Sequence, residues 1–326
     1  MTTDSVDDRY ALNLSLPPLR DHALVPRIDA AAAAGFSLVE TWWPFPTAHP
    51  TRQQTEDLRT ALTAAGTRLV CMNIAAGDFT AGERGILSDP DRRQLCRDSI
   101  VAAVEFAAEA GCRLLNLPYG NRLPDHSESA QHRTAFDNLL FAARCARARG
   151  ISVLVEALNP TDNPLYLLPD VEDAVDVVRR ARQAGALNTG ILLDVYHVAR
   201  RGQDPSQAIA RYAKECLHVQ FADIPDRTCP GTGGLDFVRI ITALREVAYE
   251  GLIGLEFTFG PEFPGSPADA RSFASRHSFA NVSGETAPSG CGGRAGLDPR
   301  VHPSGHHGPS RRTSSGHDAG GRNAGR

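Results

Sequence analysis

Glu156 and Glu256 each close a short apolar run, Ile151-Ser-Val-Leu-Val-Glu156 and Leu252-Ile-Gly-Leu-Glu256. Two similar runs lie between them, Gly190-Ile-Leu-Leu-Asp194 and Cys216-Leu-His-Val-Gln220. Three carboxylates and one amide make a hard oxygen set, suited to Mg²⁺ or Mn²⁺ more than to zinc, which prefers sulfur and nitrogen. A divalent ion bridging a carbonyl and an adjacent hydroxyl stabilises an enediolate. Two glutamates flanking such a ligand can remove and return its proton. The chemistry expected is therefore metal-assisted proton transfer on a small polyol or keto acid, with Glu156 and Glu256 as the acid/base pair and Glu156, Asp194, Gln220 and Glu256 as metal ligands.

Three further side chains are candidates for substrate contacts. His197 follows Asp194 by three residues and can reach a substrate oxygen. Arg84, in Gly82-Glu-Arg-Gly85, and Arg227, in Ala222-Asp-Ile-Pro-Asp-Arg227, lie on loops and match a carboxylate bidentately. His218 alternates with Gln220, so both point to one side of a strand, and His218 is either a supporting donor or an interior-layer residue. Asn13 and Glu40 end earlier apolar runs and are expected to line the same mouth.

Apolar strands that end in polar residues, separated by helical sequence, are how a (β/α)8 barrel gathers ligands at the C-terminal ends of its strands. Eight runs qualify, at residues 10–16, 37–41, 68–74, 113–117, 151–157, 190–194, 217–221 and 252–257. Helix-like segments at 24–34, 51–65, 91–110, 129–149, 171–184 and 236–249 alternate with them and mostly stop at a glycine. Strict alternation predicts a parallel sheet, and eight units predict closure into a TIM barrel. An eighth helix starts at Ser266-Pro-Ala-Asp and loses its apolar periodicity after Ala274. A barrel domain is thus expected over 1–274, followed at 275–326 by an atypical, disordered tail rich in Ser, Gly, Pro, Arg and His. A reading-frame change in the gene is one explanation of that break, and it would leave apolar surface uncovered beside strands 1 and 8.

With 326 residues, 42% hydrophobic, and a formal charge of −4, the chain suits one large barrel domain and argues against a nucleic-acid partner. No apolar run approaches a membrane span and the acidic N-terminus lacks a signal-peptide core, so a cytoplasmic location is expected. The seven cysteines form no Cys-x-x-Cys pair and read as reduced, mostly buried side chains.

The segments Gly77-Asp-Phe-Thr-Ala-Gly-Glu-Arg-Gly85, Val155-Glu-Ala-Leu-Asn159, Leu193-Asp-Val-Tyr-His197, His218-Val-Gln-Phe-Ala-Asp223 and Pro230-Gly-Thr-Gly233 resemble the hydroxypyruvate isomerase family. The resemblance covers residues 8–274. It implies a xylose isomerase-like barrel that interconverts hydroxypyruvate and tartronate semialdehyde, or a 2-oxo-tetronate and its isomer, with a divalent ion and no organic cofactor. It implies the same acid/base and ligand residues, with substrate contacts from His197 and Arg227. Gln220 stands where related ketose 3-epimerases tend to carry histidine, which favours the keto-acid branch. Met72 and Gly234 depart from the family pattern. Which glutamate starts the reaction is left open, as is the number of chains in the assembly. The rival readings are a DNA-repair endonuclease of the same fold and a barrel impaired by its altered C-terminus.

Overall fold

The computed structural model describes residues 9–262 and 265–279. Eight strands are present: β1 (Tyr10–Asn13), β2 (Leu38–Thr41), β3 (Arg68–Asn73), β4 (Leu114–Asn116), β5 (Ser152–Glu156), β6 (Thr189–Asp194), β7 (Cys216–Phe221) and β8 (Ile253–Leu255). Each pairs in parallel with the next, and β8 pairs with β1, so the sheet closes into the expected barrel. The strands are buried almost throughout, which is why they read as continuous apolar runs rather than alternating ones. Helices α1 (Leu24–Ala33), α2 (Arg52–Ala64), α3 (Arg93–Ala110), α4 (Glu128–Arg147), α5 (Val171–Gln183), α6 (Val195–Arg200), α7 (Pro205–Tyr212), α8 (Phe237–Glu246) and α9 (Pro267–Arg276) fill the connections.

Several helices begin where a side chain can take the free backbone N–H groups of the first turn. Thr51 and Gln54 form a reciprocal capping box on α2, Ser127 caps α4 and Asp170 caps α5. The sequence reading placed no helix between β6 and β7, yet α6 and α7 stand there. Both are short, so their apolar spacing spans at most about two turns. The pair Asp204-Pro205 is nonetheless a start signal, with the carboxylate as cap and proline at the first helical position.

Most of the core lies between strands and helices, while two small clusters sit apart from it. One is Ala11, Leu38 and Val70; the other is Cys71, Leu154 and Leu192. The last helix crosses the seam where the barrel closes. Its Phe273 is 1% exposed and meets Tyr10, Phe221 and Phe237 edge-on, and Ala270 and Ala274 are buried beside it. The Tyr10 hydroxyl donates to the His277 carbonyl at 2.9 Å, and Phe279 packs against the core. Apolar surface expected to lie open beside β1 and β8 is thus covered by residues up to 279. The remainder of the expected tail, with its histidines, lies outside the described residues. No described helix is long and apolar enough to cross a membrane. The six described cysteines are free, and five are buried.

Candidate active site

The strand ends bring the expected residues to one place. Glu156 ends β5, Asp194 ends β6, Gln220 lies near the end of β7 opposite Asp194, and Glu256 follows β8, its N–H continuing the ladder to the Phe221 carbonyl at 3.0 Å. All four are at least nine-tenths buried. Each carboxylate has one oxygen fixed by a protein donor. Asn116 Nδ2 donates to Glu156 Oε2 at 2.8 Å, the Tyr196 backbone N–H to Asp194 Oδ1 at 2.8 Å, and the Trp42 indole N–H to Glu256 Oε1 at 2.8 Å. The second oxygens of Asp194 and Glu256 both accept from Arg227 Nη2 at 2.8 Å. His197 Nε2 stands 3.7 Å from Asp194 Oδ2 and 4.0 Å from Glu156 Oε1.

Arg227 reaches this position from the loop after β7, in a left-handed backbone conformation with φ of 55°. Such a conformation costs a non-glycine residue about 1–3 kcal/mol and persists where the surroundings fix it. Its Nε–H donates to the Glu256 carbonyl, and its own carbonyl accepts from Thr258 N–H at 2.7 Å. The loop is organised by Asp223, fully buried, whose carboxylate accepts from the N–H groups of Ile224, Gly231, Gly233 and Leu235. The Pro230-Gly-Thr-Gly233 motif is therefore backbone wrapped around one carboxylate.

Donors meet both ring nitrogens of His197: Nδ1 takes the Asn159 backbone N–H at 3.2 Å and faces the Asn159 side-chain amide at 2.8 Å, while Nε2 lies 3.2 Å from Arg227 Nη1. Burial, with Arg227 adding to it, pushes the imidazole well below its ordinary value, so the ring is neutral. Its Nε2 edge faces Arg227 and, farther off, the Asp194 and Glu156 carboxylates.

Burial and the mutual repulsion of Glu256 and Asp194 raise Glu156 well above the ordinary carboxylate range. Glu256 is pushed up to about 7 and Asp194 to about 6, burial being the main cause and Arg227 the opposing one. Groups poised near neutrality in a cavity are suited to accepting and returning a proton.

The cavity above them measures about 260 Å³ and is lined by Glu156, Glu256, His197 and Arg227 together with Trp42, Phe79, Arg84 and Arg20. The Gly77–Gly85 segment forms one wall. Asp78 accepts from Thr80 and Ala81 N–H groups, and Glu83 accepts from the Asp78 N–H and pairs with Arg92. Gly77 (φ 86°) leaves room for the Glu83 carboxylate, and Gly85 (φ 121°) lies against the Pro118 carbonyl, where any β-carbon would collide. This clasp carries Phe79 onto Trp42, ring centroids 4.6 Å apart, and leads Arg84 to Asn163 Oδ1 at 2.8 Å.

One expectation is corrected. Asn13 and Glu40 do not line the cavity; they are buried and bonded to each other. Arg227 does line the cavity and is also held by carboxylates of the site itself. Several contributors were not singled out from sequence: Trp42, Asn116, Asn159 and Arg20. Asn116 had a signal, since it ends an apolar strand run as Glu156 does, whereas the others lie on loops whose paths no spacing reveals.

The donor set suits a divalent cation. Gln220 Oε1 is buried and has no hydrogen-bond partner among the described residues. With all three carboxylates ionised against one guanidinium the site would carry two negative charges, which a divalent ion would neutralise.

Residues 28–275 match the family described as xylose isomerase-like TIM barrel. The chain is 40% identical over 273 residues to the "Putative hydroxypyruvate isomerase" of Streptomyces coelicolor, covering 82% of this chain and 95% of that one. It is 32% identical over 249 residues to the 2-oxo-tetronate isomerase of Cupriavidus necator, covering 76% and 92%. A crystal structure described as AP endonuclease, family 2, from Brucella melitensis superposes with a TM-score of 0.72 at 28% identity, over 83% of this chain and 99% of that one.

Proposed function

Since this chain belongs to the xylose isomerase-like TIM barrel family and to its hydroxypyruvate isomerase branch, we propose that it is an isomerase interconverting hydroxypyruvate and tartronate semialdehyde. The observation that carries the reading is the pair Glu156 and Glu256, both buried and both lining one cavity, with burial raising each above the ordinary carboxylate value. Glu156, Asp194, Gln220 and Glu256 would hold a Mg²⁺ or Mn²⁺ ion, which when bound supplies charge stabilisation to the oxygens of the reacting ligand.

One glutamate takes a proton from the hydroxyl-bearing carbon of the substrate, leaving an enediolate. The other glutamate returns a proton to the former carbonyl carbon, and the hydroxyl proton passes between the two oxygens. His197 lines the cavity beside the carboxylates, where its ring would contact an oxygen of the substrate. Arg227 bridges the Asp194 and Glu256 carboxylates and remains cationic: burial works against its charge, but Glu256, Asp194 and Glu156 outweigh it. Because Nε and Nη2 of Arg227 are taken by Glu256 and Asp194, the substrate carboxylate is assigned to Arg84, with Arg20 beside it at the mouth. Burial and the nearby Arg20 charge lower the Arg84 pKa, and neither guanidinium has a carboxylate partner among the described residues. An uncompensated pair of cations suits an anionic group.

The relative named 2-oxo-tetronate isomerase supports 2-oxo-tetronate as a second candidate substrate, and the cavity volume admits either acid. The nuclease reading lacks support, because no group of potential metal ligands among the described residues contains more than one histidine. The test is incubation in deuterated water with each keto acid, with and without Mn²⁺, followed by NMR. Metal-dependent exchange of the C3 proton is expected, and Glu256→Gln should abolish it. A folded chain that exchanges neither acid overturns the reading.

A further inference from the structure

Glu40 takes no part in the chemistry above, yet it is 1% exposed and accepts three hydrogen bonds within the barrel. Asn13 Nδ2 donates to Oε1 at 2.9 Å from β1. From β7, Gln220 Nε2 donates to Oε1 at 2.6 Å, and His218 Nε2 meets Oε2 at 2.7 Å. Both amides turn an N–H toward Oε1. For Asn13 that leaves Oδ1 to take the Ser15 N–H at 2.9 Å. For Gln220 it leaves Oε1 pointing elsewhere, buried and without a partner among the described residues. An unpaired buried carbonyl costs about 1–3 kcal/mol, which a cation or water at this position would relieve; Asn116 Oδ1 and His218 Nδ1 are likewise without a partner among the described residues.

We propose that Glu40 is a positioning residue: by holding Gln220 Nε2 it locks the amide so that Oε1 serves as the neutral ligand of the divalent-cation site. The proposal rests on the metal-assisted reading above. It also gives a reason for an amide on β7. A carboxylate at position 220 would oppose Glu40 directly, whereas glutamine offers a donor to one side and an acceptor to the other.

Glu40, His218 and Cys71 lie close enough to be read as a metal site in their own right. Their bonding argues otherwise. Asn13, Gln220 and His218 occupy both Glu40 oxygens, and His218 Nε2 is itself spent on Oε2. The cluster acts as an orienting network, one layer removed from the ion.

The experiment is Mn²⁺ binding to the full chain, read from the free-Mn²⁺ electron paramagnetic resonance signal, with melting curves alongside. The unaltered chain is expected to bind one ion. In Glu40→Gln the amide at position 40 no longer demands an N–H from Gln220, and affinity should fall about 10- to 100-fold, as for other residues that orient metal ligands. Asn13→Ala removes another donor from the same carboxylate; it should lower the melting temperature and leave Mn²⁺ affinity unchanged. The exchanged pair Glu40→Gln with Gln220→Glu restores one donor facing one acceptor and should recover binding, which keeps the test informative if the single variant does not fold. Equal affinity in Glu40→Gln and the unaltered chain overturns the proposal. So does an equal loss in Glu40→Gln and Asn13→Ala, which marks a structural role only, or two ions per chain with one lost in Glu40→Gln, which makes Glu40 itself a ligand. No binding by the unaltered chain removes the metal-assisted reading and this proposal with it.

Discussion

Trp42 links the two halves of the site. Its indole N–H holds Glu256 Oε1, and its ring stacks on Phe79 from the Gly77–Gly85 clasp at an interplanar angle of 17°. Trp42→Phe keeps an aromatic ring for the stack and deletes the donor. A hydrogen bond to a charged group contributes about 1.5–3 kcal/mol, so kcat should fall at least about tenfold. KM should change little, and steady-state kinetics separate the two; a raised KM at constant kcat would instead make Trp42 a substrate-binding wall. The residue illustrates where reading a sequence stops. Glu156, Asp194, Gln220 and Glu256 were legible because each closes an apolar strand run, and strand ends converge wherever a barrel closes. Trp42, Asn159 and Arg20 lie on loops, and their partners are set by loop paths that leave no periodic trace. Glu40 was legible as a strand-end carboxylate but was assigned to the mouth. Only the cross-barrel contact with β7 shows that it faces inward, beneath the cavity.

At the level of elements, the Gly77–Gly85 clasp depends on a pair that pH can open. The hydrogen bond from Arg92 holds the Glu83 carboxyl below its usual range. Glu83 and Arg92 are each about one-third exposed, so solvent screens the pair and its contribution is modest. A carboxyl lowered in the folded state contributes its stability above the unfolded value, about 4.3, and loses it as pH falls through the folded one. Amide protection of residues 77–85 should therefore be constant from pH 7 to about pH 5 and decline below about pH 4. In Glu83→Gln protection should already be low at pH 7, with no Glu83-dependent step on acidification. Protection that declines identically in both chains would assign the acid sensitivity to Asp78, whose carboxyl is lowered by its bonds to Thr80 and Ala81. The clasp was recognisable as a motif but not as a device, since the Glu83 to Arg92 contact spans the start of a helix whose direction the sequence leaves undetermined. Long helices such as α3 and α4 were legible from several turns of apolar spacing, whereas α6 and α7 were too short to carry it.

For the molecule as a whole, closure is the property that everything else assumes, and it depends on one seam. A parallel barrel has no edge only if β8 finds β1, and those strands pair over three positions. The seam is covered by α9, whose Phe273 sits among Tyr10 of β1, Phe221 of β7 and Phe237 of α8. That helix was legible from Ser266, Pro267 and Asp269, a cap, a first-turn proline and an acidic first turn, even though its apolar pattern is short. Replacing a buried phenylalanine by alanine typically costs about 3–5 kcal/mol. Phe273→Ala should lower the urea midpoint by a corresponding amount with an unchanged slope, because the ring opens as one unit. Phe273 packs on the helix side of the strands, away from Glu40 and Gln220 inside the ring. Molecules that remain folded should therefore bind Mn²⁺ as the unaltered chain does. A loss below about 1 kcal/mol would show that α9 lies on the barrel without belonging to its cooperative unit. A broadened, two-step transition would show that β8 and α9 release first, making the seam the weakest point of the ring.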